Sequence, residues 1–173
     1  MRLLGAVLAG GRSSRFGSDK ALALLGGKPL IEHVIAALGA QADAVILCGR
    51  QGADWGIDGV PDRPAADLGP LGGINAALHC AAARGYDAVL TAPCDMPVLP
   101  PNLPVTLAGG GHVANVPVVG LWPVQFAEGL DEWLAGAGDR SVRRWARQAG
   151  LAAIPLAFDF PNLNTPADLD RFR

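Results

Sequence analysis

The sequence predicts an α/β fold: three layers, α/β/α, Rossmann-like, around a mostly parallel sheet. Three observations carry that expectation. Short apolar runs alternate along the chain with stretches whose apolar residues recur at helical spacing. The runs are continuously apolar, which is the pattern of strands covered on both faces. Chemistry-bearing residues collect just after the runs, where the carboxyl ends of strands in such a sheet receive ligands. With 173 residues, 50% hydrophobic and 17% charged, the chain suits one domain over 1–173 that buries roughly 70% of its unfolded surface.

Leu3 to Leu8 is the first strand. Leu30, Val34 and Leu38 then recur at helical spacing behind Pro29, a residue suited to a first helical position. Ala44 to Cys48 forms a second strand, and a short third one precedes Asp62. Behind Pro70, Leu71, Ile74, Leu78 and Ala81 mark another helix, followed by a strand over Ala88 to Ala92. Pro93 to Pro104 and Gly109-Gly110-Gly111 read as loops around a smaller excursion. Helices are expected over Gln125 to Ala135, beginning near Pro123, and over Val142 to Ala149 behind Ser141 as N-cap. Leu151 to Leu156 is a last strand. Pro166 to Phe172 is a terminal helix capped by Thr165.

A net charge of −2 gives no global reason to bind nucleic acid or a membrane surface. No apolar run approaches the length of about 20 residues that spans a bilayer. Cys48, Cys80 and Cys94 are odd in number and lack C-x-x-C spacing, so neither a disulfide framework nor a zinc site follows. No secretory leader pattern precedes the first strand. The chain is expected to be cytoplasmic.

The densest chemistry lies behind the first strand. Ala9-Gly10-Gly11 leads into a stretch bearing Arg12, Arg15, Gly17 and Lys20. Glycine backbone at Gly10 and Gly11 lets a ligand approach closely, and its N–H groups can cradle phosphate oxygens. Guanidinium and ammonium groups supply local positive charge. A strand, a tight turn and a solvated basic loop would show the same composition. A Walker A loop is excluded because Ser18-Asp19 follow Gly17, and the dinucleotide fingerprint G-x-G-x-x-G is absent.

Read whole, Leu8, Ala9, Gly10, Gly11, Ser13, Arg15, Phe16, Gly17, Lys20, Leu22, Gly26, Gly27, Pro29 and Leu30 resemble the N-terminal signature of nucleotidyltransferases that use a nucleoside triphosphate. The Ala9-Gly10-Gly11 form resembles the guanylyltransferases that mature molybdenum cofactor, the MobA family; cytidylyl-transferring relatives usually carry Ala-Ala-Gly. The likeness runs from Leu8 to Asp168, through Gly69-Pro70-Leu71, Pro93-Cys94-Asp95-Met96-Pro97 and Asn162-Leu163-Asn164-Thr165-Pro166. It departs at Val116-Pro117, where the family has His-Pro. It departs again at Leu47-Cys48, where the family has a polar residue.

The resemblance implies a single nucleotidyltransferase domain that transfers GMP from GTP to Mo-molybdopterin and releases pyrophosphate. It implies Mg²⁺ as cofactor with Asp95 as its carboxylate, a role that suits a hard ion needing only one or two protein oxygens beside phosphates. Arg15, Lys20 and Asp95 are the implied catalytic residues. Leu8, Ala9, Gly10, Gly11, Lys20, Asp62, Gly69, Pro70, Leu71 and Asp95 are implied at the nucleotide. Asp67 competes with Asp62 in the same loop, and Asp19 reads as solvated. Asn164 either faces the pterin acceptor or, with Thr165, caps the last helix. Arg143 and Arg147, at i and i+4 on one helix, either receive the acceptor's phosphate or form a solvated face. Implied partners are GTP and Mo-molybdopterin, with molybdoenzyme maturation proteins as candidates and a monomer or weak homo-oligomer as the assembly. The rival readings are a molybdopterin cytidylyltransferase, another sugar- or cofactor-phosphate nucleotidyltransferase, and a non-catalytic nucleotide-binding cofactor carrier.

Overall fold

β1 (Leu3–Leu8) is buried along its whole length, and it pairs in parallel with β4 (Ala44–Cys48) on one side and β6 (Ala88–Pro93) on the other. Its continuous apolar run follows from that position, since both faces are covered. The computed structural model describes residues 1–11, 19–136, 138–161 and 163–172. Between β1 and β4 lie a two-stranded hairpin of β2 (Leu24–Leu25) and β3 (Lys28–Pro29) and the helix α1 (Leu30–Gly39). After β4 come β5 (Asp58–Val60) and α2 (Pro70–Ala83). α3 (Leu103–Thr106), β7 (Gly111–Val113) and β8 (Val116–Pro123) follow β6. The chain ends with α4 (Ala127–Ala135), α5 (Val142–Gln148), β9 (Ala152–Ile154) and α6 (Pro166–Arg171).

The main sheet runs β5-β4-β1-β6-β8-β7-β9. β8 alone runs against its neighbours β6 and β7, so the sheet is mostly parallel, as expected. One face packs Val7, Leu47 and Leu90 against Ile31, Val34 and Leu38 of α1 and Leu103 of α3. The other packs Leu4, Ile46 and Val89 against Leu71, Ile74 and Leu78 of α2, Leu130 of α4 and Trp145 of α5. Three layers result. α1 and α2 lie on opposite faces, and the chain turns from β5 back to the far side of β1. Beyond the carboxyl ends of β1 and β6 this opens a crevice, the usual place for a ligand in such sheets.

Several expectations are corrected. Pro29 is the N-cap of α1, still paired with Leu24 in the hairpin, and helical geometry begins at Leu30. The excursion after β6 is more ordered than its Pro and Gly content suggested. It contains α3, and Gly111 opens β7, with the β7–β8 hairpin inserted beside β6. The Gln125–Ala135 helix is a 3₁₀ turn over Val124–Phe126 followed by α4. The last strand is shorter, Ala152–Ile154. Caps fell where expected: Ser141 accepts from the Arg144 N–H, and Thr165 forms a reciprocal capping box with Asp168.

Candidate active site

Backbone stitching builds the crevice first. The Ala9 N–H donates to the Cys48 carbonyl at 2.9 Å and the Cys94 N–H to the Leu8 carbonyl at 3.0 Å, which locks the strand ends together. Gly49 lies against Gly10: a Cβ there would stand 2.6 Å from the Gly10 Cα, and its φ of +82° is a left-handed value. Only glycine fits both constraints. The chain behind β1 therefore leaves the sheet with bare backbone exposed at Gly10 and Gly11.

Lys20 returns to this edge from a short 3₁₀ turn over Lys20–Leu22. Asp19 caps that turn by accepting from the Ala21 N–H at 3.2 Å. Asp19 also lies 2.6 Å from the Arg50 guanidinium, just past β4. The expectation of a solvated Asp19 is thus corrected: it ties the turn that bears Lys20 to the end of β4. The cap rule for an aspartate before a helical turn was a usable signal. From this anchored turn the Lys20 ammonium donates to Asp95 Oδ2 at 2.8 Å and to Asn164 Oδ1 at 3.1 Å. Three motifs separated by as many as 144 residues converge on one ammonium. Lys20 is 13% exposed and Asp95 35%, so the pair opens toward the crevice from a largely covered lysine.

Asn164 reaches the site because Leu163 and Leu169 pack with Leu25 and Leu30 in a small cluster beneath the hairpin. Its backbone N–H is taken by Asp168, so the structural role of the segment falls to backbone groups and Thr165, and the Asn164 amide is left to face Lys20. Cys94 beside Asp95 is held as a thiol: burial and the Asp95 charge push it up to about 12. Cys48 is raised further by burial and is core.

Asp62 forms the other wall. Its carboxylate lies against Gly10, Gly49, Gly72 and Gly73, positions whose missing Cβ atoms leave room for it. Oδ1 is buried with no hydrogen-bond partner among the described residues. Buried polar atoms are seldom left so. Burial, with Asp67 nearby, raises its pKa above the usual carboxylate value. Asp67 is exposed, at φ +62°, and its carbonyl accepts from Arg140 at 2.8 Å. Geometry therefore favours Asp62 over Asp67. Gly69, at φ +67°, turns the chain into α2, and Pro70 takes the N1 position. The first-turn N–H groups of this 14-residue helix gather at the same carboxyl edge.

Sequence reasoning missed the groups behind Asp62. Arg63 donates twice to Asp131 of α4, Nε to Oδ1 at 3.1 Å and Nη2 to Oδ2 at 3.0 Å. Asn75 donates to Asp131 Oδ1 at 2.7 Å, and His79 Nε2 lies 2.9 Å from Oδ2. The available signal was the i, i+4 spacing of Asn75 and His79 within an otherwise apolar helix.

Other expected residues are scattered or undescribed. Arg143 donates to the Ala114 carbonyl at 3.1 Å, at the carboxyl end of β7. Arg144, beside it, pairs with Asp139. No contact is described between Arg143 or Arg147 and the Lys20 cluster. Leu47 and Cys48 are fully buried and offer no polar side chain to the crevice. Arg12, Arg15 and Asn162 lie outside the described residues. Among the described residues, no cluster of three or more His, Cys, Asp or Glu forms a metal cage, and no helix is long and apolar enough to cross a membrane.

The hydrogen bonds drawn by Arg63 and Asn75 hold the Asp131 carboxyl well below the usual range, at about 2. A depressed carboxylate adds stability above its unfolded value of 3.8 and loses it as pH falls toward 2. Asp131→Asn should therefore lower the melting temperature at neutral pH and narrow the drop seen on acidification. An unchanged acid profile would show that the ion pair contributes no linked stability.

Comparison with known proteins identifies the family and the fold. The model of the MobA-like NTP transferase domain matches residues 5–153. A molybdenum cofactor guanylyltransferase of Cereibacter sphaeroides is 42% identical, covering 99% of this chain and 95% of the relative. One from Acidiphilium cryptum is 36% identical over 95% of this chain and 90% of its own. Among solved structures, molybdopterin-guanine dinucleotide biosynthesis protein A from Archaeoglobus fulgidus superposes with a TM-score of 0.71 at 23% identity, covering 97% and 95% of the two chains. At that identity the superposition speaks for the fold. The chain, matched from end to end by curated relatives, belongs to the MobA-like NTP transferase family.

Proposed function

We propose that the chain acts as a molybdenum cofactor guanylyltransferase, transferring GMP from GTP to Mo-molybdopterin across the crevice between β1 and β6. The convergence of Lys20, Asp95 and Asn164 on one point supports this reading most directly. The acceptor's phosphate oxygen bonds to the α-phosphorus of GTP, the bond from that phosphorus to the bridging oxygen breaks, and pyrophosphate leaves. Both reactants are anions, so positioning and charge stabilisation carry the catalysis, and no protein nucleophile is required. Leu8, Ala9, Gly10 and Gly11 present backbone to the triphosphate, and Lys20 with Arg15 neutralises its charge. Gly69, Pro70 and Leu71 set the start of α2 against the nucleotide. The Asp62 carboxylate, whose Oδ1 has no partner among the described residues, is an acceptor for the donor groups of guanosine. Asn164, Arg143 and Arg147 serve the acceptor side.

A divalent cation fits the donor set: Asp95 is a partly exposed hard-oxygen ligand beside Lys20, and Mg²⁺ needs little more from protein when phosphates supply the rest. Bound there, Mg²⁺ would screen triphosphate charge. The shared sheet supports treating residues 1–173 as one nucleotidyltransferase domain. Three free thiols suit the reducing cytoplasm.

Pyrophosphate release in the presence of Mo-molybdopterin tests the reading. GTP should support turnover and formation of the guanine dinucleotide, with CTP and ATP at least about tenfold poorer in kcat/KM. Equal release with CTP would move the chain to the cytidylyl-transferring relatives. Binding of GTP without any release would make it a carrier.

A further inference from the structure

We propose that Asp131, on α4 and outside the crevice, is the positioning residue that fixes Asp62 for nucleotide binding, acting through Arg63 and Asn75. The proposal rests on the reading of Asp62 as a nucleotide contact. Asp62 needs such support. It has an orphaned buried oxygen, and its burial with a like charge nearby works against its ionised form. Nothing described holds its carboxylate directly. Its neighbour Arg63 is held at every polar group: its N–H donates to the Gly72 carbonyl at 3.0 Å, its carbonyl accepts from Asn75 at 3.4 Å, and its guanidinium is forked onto Asp131. Asn75 is fully buried and bridges the Arg63 carbonyl to Asp131 Oδ1.

Asp131 is thus the hub that ties the Asp62 loop to α2 and α4, two helices that pack on each other. A bidentate arginine–carboxylate pair adds directional constraint as well as energy. It is the right device for a loop in which the preceding residue, Asp62, must present its carboxylate. The strand-end glycines leave space around Asp62 but no grip on it. The grip comes from one residue further along, and its far end is Asp131.

The test is a double-mutant cycle read in GTP affinity, by titration calorimetry of the full chain with GTP and Mg²⁺. Asp131→Asn should weaken GTP binding about tenfold in the wild-type background and less than about twofold when Asp62 is already alanine. Arg63→Gln, which leaves α4 intact, should reproduce both results; it serves if Asp131→Asn fails to fold by circular dichroism. Unchanged GTP affinity in folded Asp131→Asn and Arg63→Gln would overturn the proposal. So would equal losses in both backgrounds, which would mean a route to the nucleotide that bypasses Asp62. If Asp62→Ala itself leaves affinity unchanged, the reading of Asp62 falls first and takes this proposal with it.

Discussion

Asp95→Asn is expected to lower kcat about 100- to 1,000-fold with little change in melting temperature. The side chain stands at the carboxyl end of β6, partly open to solvent, and its only described ion pair is with Lys20. An amide of the same size keeps a weak acceptor for the ammonium, so packing is preserved. It loses the negative charge that makes a carboxylate the stronger oxygen ligand for a hard cation. The Mg²⁺ concentration giving half-maximal activity should therefore rise alongside the fall in kcat. Near wild-type turnover at ordinary Mg²⁺ would show that the metal carboxylate lies elsewhere, and Asp62 would be the next to substitute.

The strand that delivers Asp95 was readable because β6 is buried on both faces, so its residues, with Thr91 the one polar side chain among them, form a near-continuous apolar run. The same holds for β1 and β4. β8 was not readable for the opposite reason. Val116–Pro123 contains Pro117, Gly120 and Pro123, residues that punctuate loops. Here the prolines sit near the strand ends, while Gly120 makes room for the Trp122 ring beside it. Tertiary packing decided against local propensity.

The site divides in the same way. Lys20, Asp95 and Asn164 were each singled out within a motif, yet their meeting depends on a 3₁₀ turn fastened by Asp19 to Arg50 and on a leucine cluster under α6. Neither link has a sequence period. Asp131 belongs to no motif at all. In Ala127–Ala135 it looks like one more charge on a helix surface, and only the approach of α2 and the Arg63 loop gives it partners. Groups that hold a site in place are chosen by the fold's contacts, and a linear reading sees them as ordinary polar residues.

Lys20→Ala should lower kcat by about 100- to 1,000-fold while raising the KM for GTP far less. The asymmetry follows from where charge grows. As the bond to the α-phosphorus breaks, negative charge accumulates on the departing pyrophosphate, and a preorganised ammonium stabilises that state more than the ground state. Lys20 is preorganised: the Asp19–Arg50 tie fixes its turn, and Asp95 and Asn164 fix its head. Arg12→Ala, close in sequence but not among the residues that match the signature, should cost much less. A loss confined to KM would make Lys20 a ground-state binder of triphosphate. Equal damage from both substitutions would mean that a diffuse basic loop suffices, and that the convergence on one ammonium has no catalytic consequence. Lys20→Arg separates charge from shape. A guanidinium keeps the charge but cannot occupy the compact position between Asp95 and Asn164, so it should recover GTP affinity and leave most of the kcat defect in place.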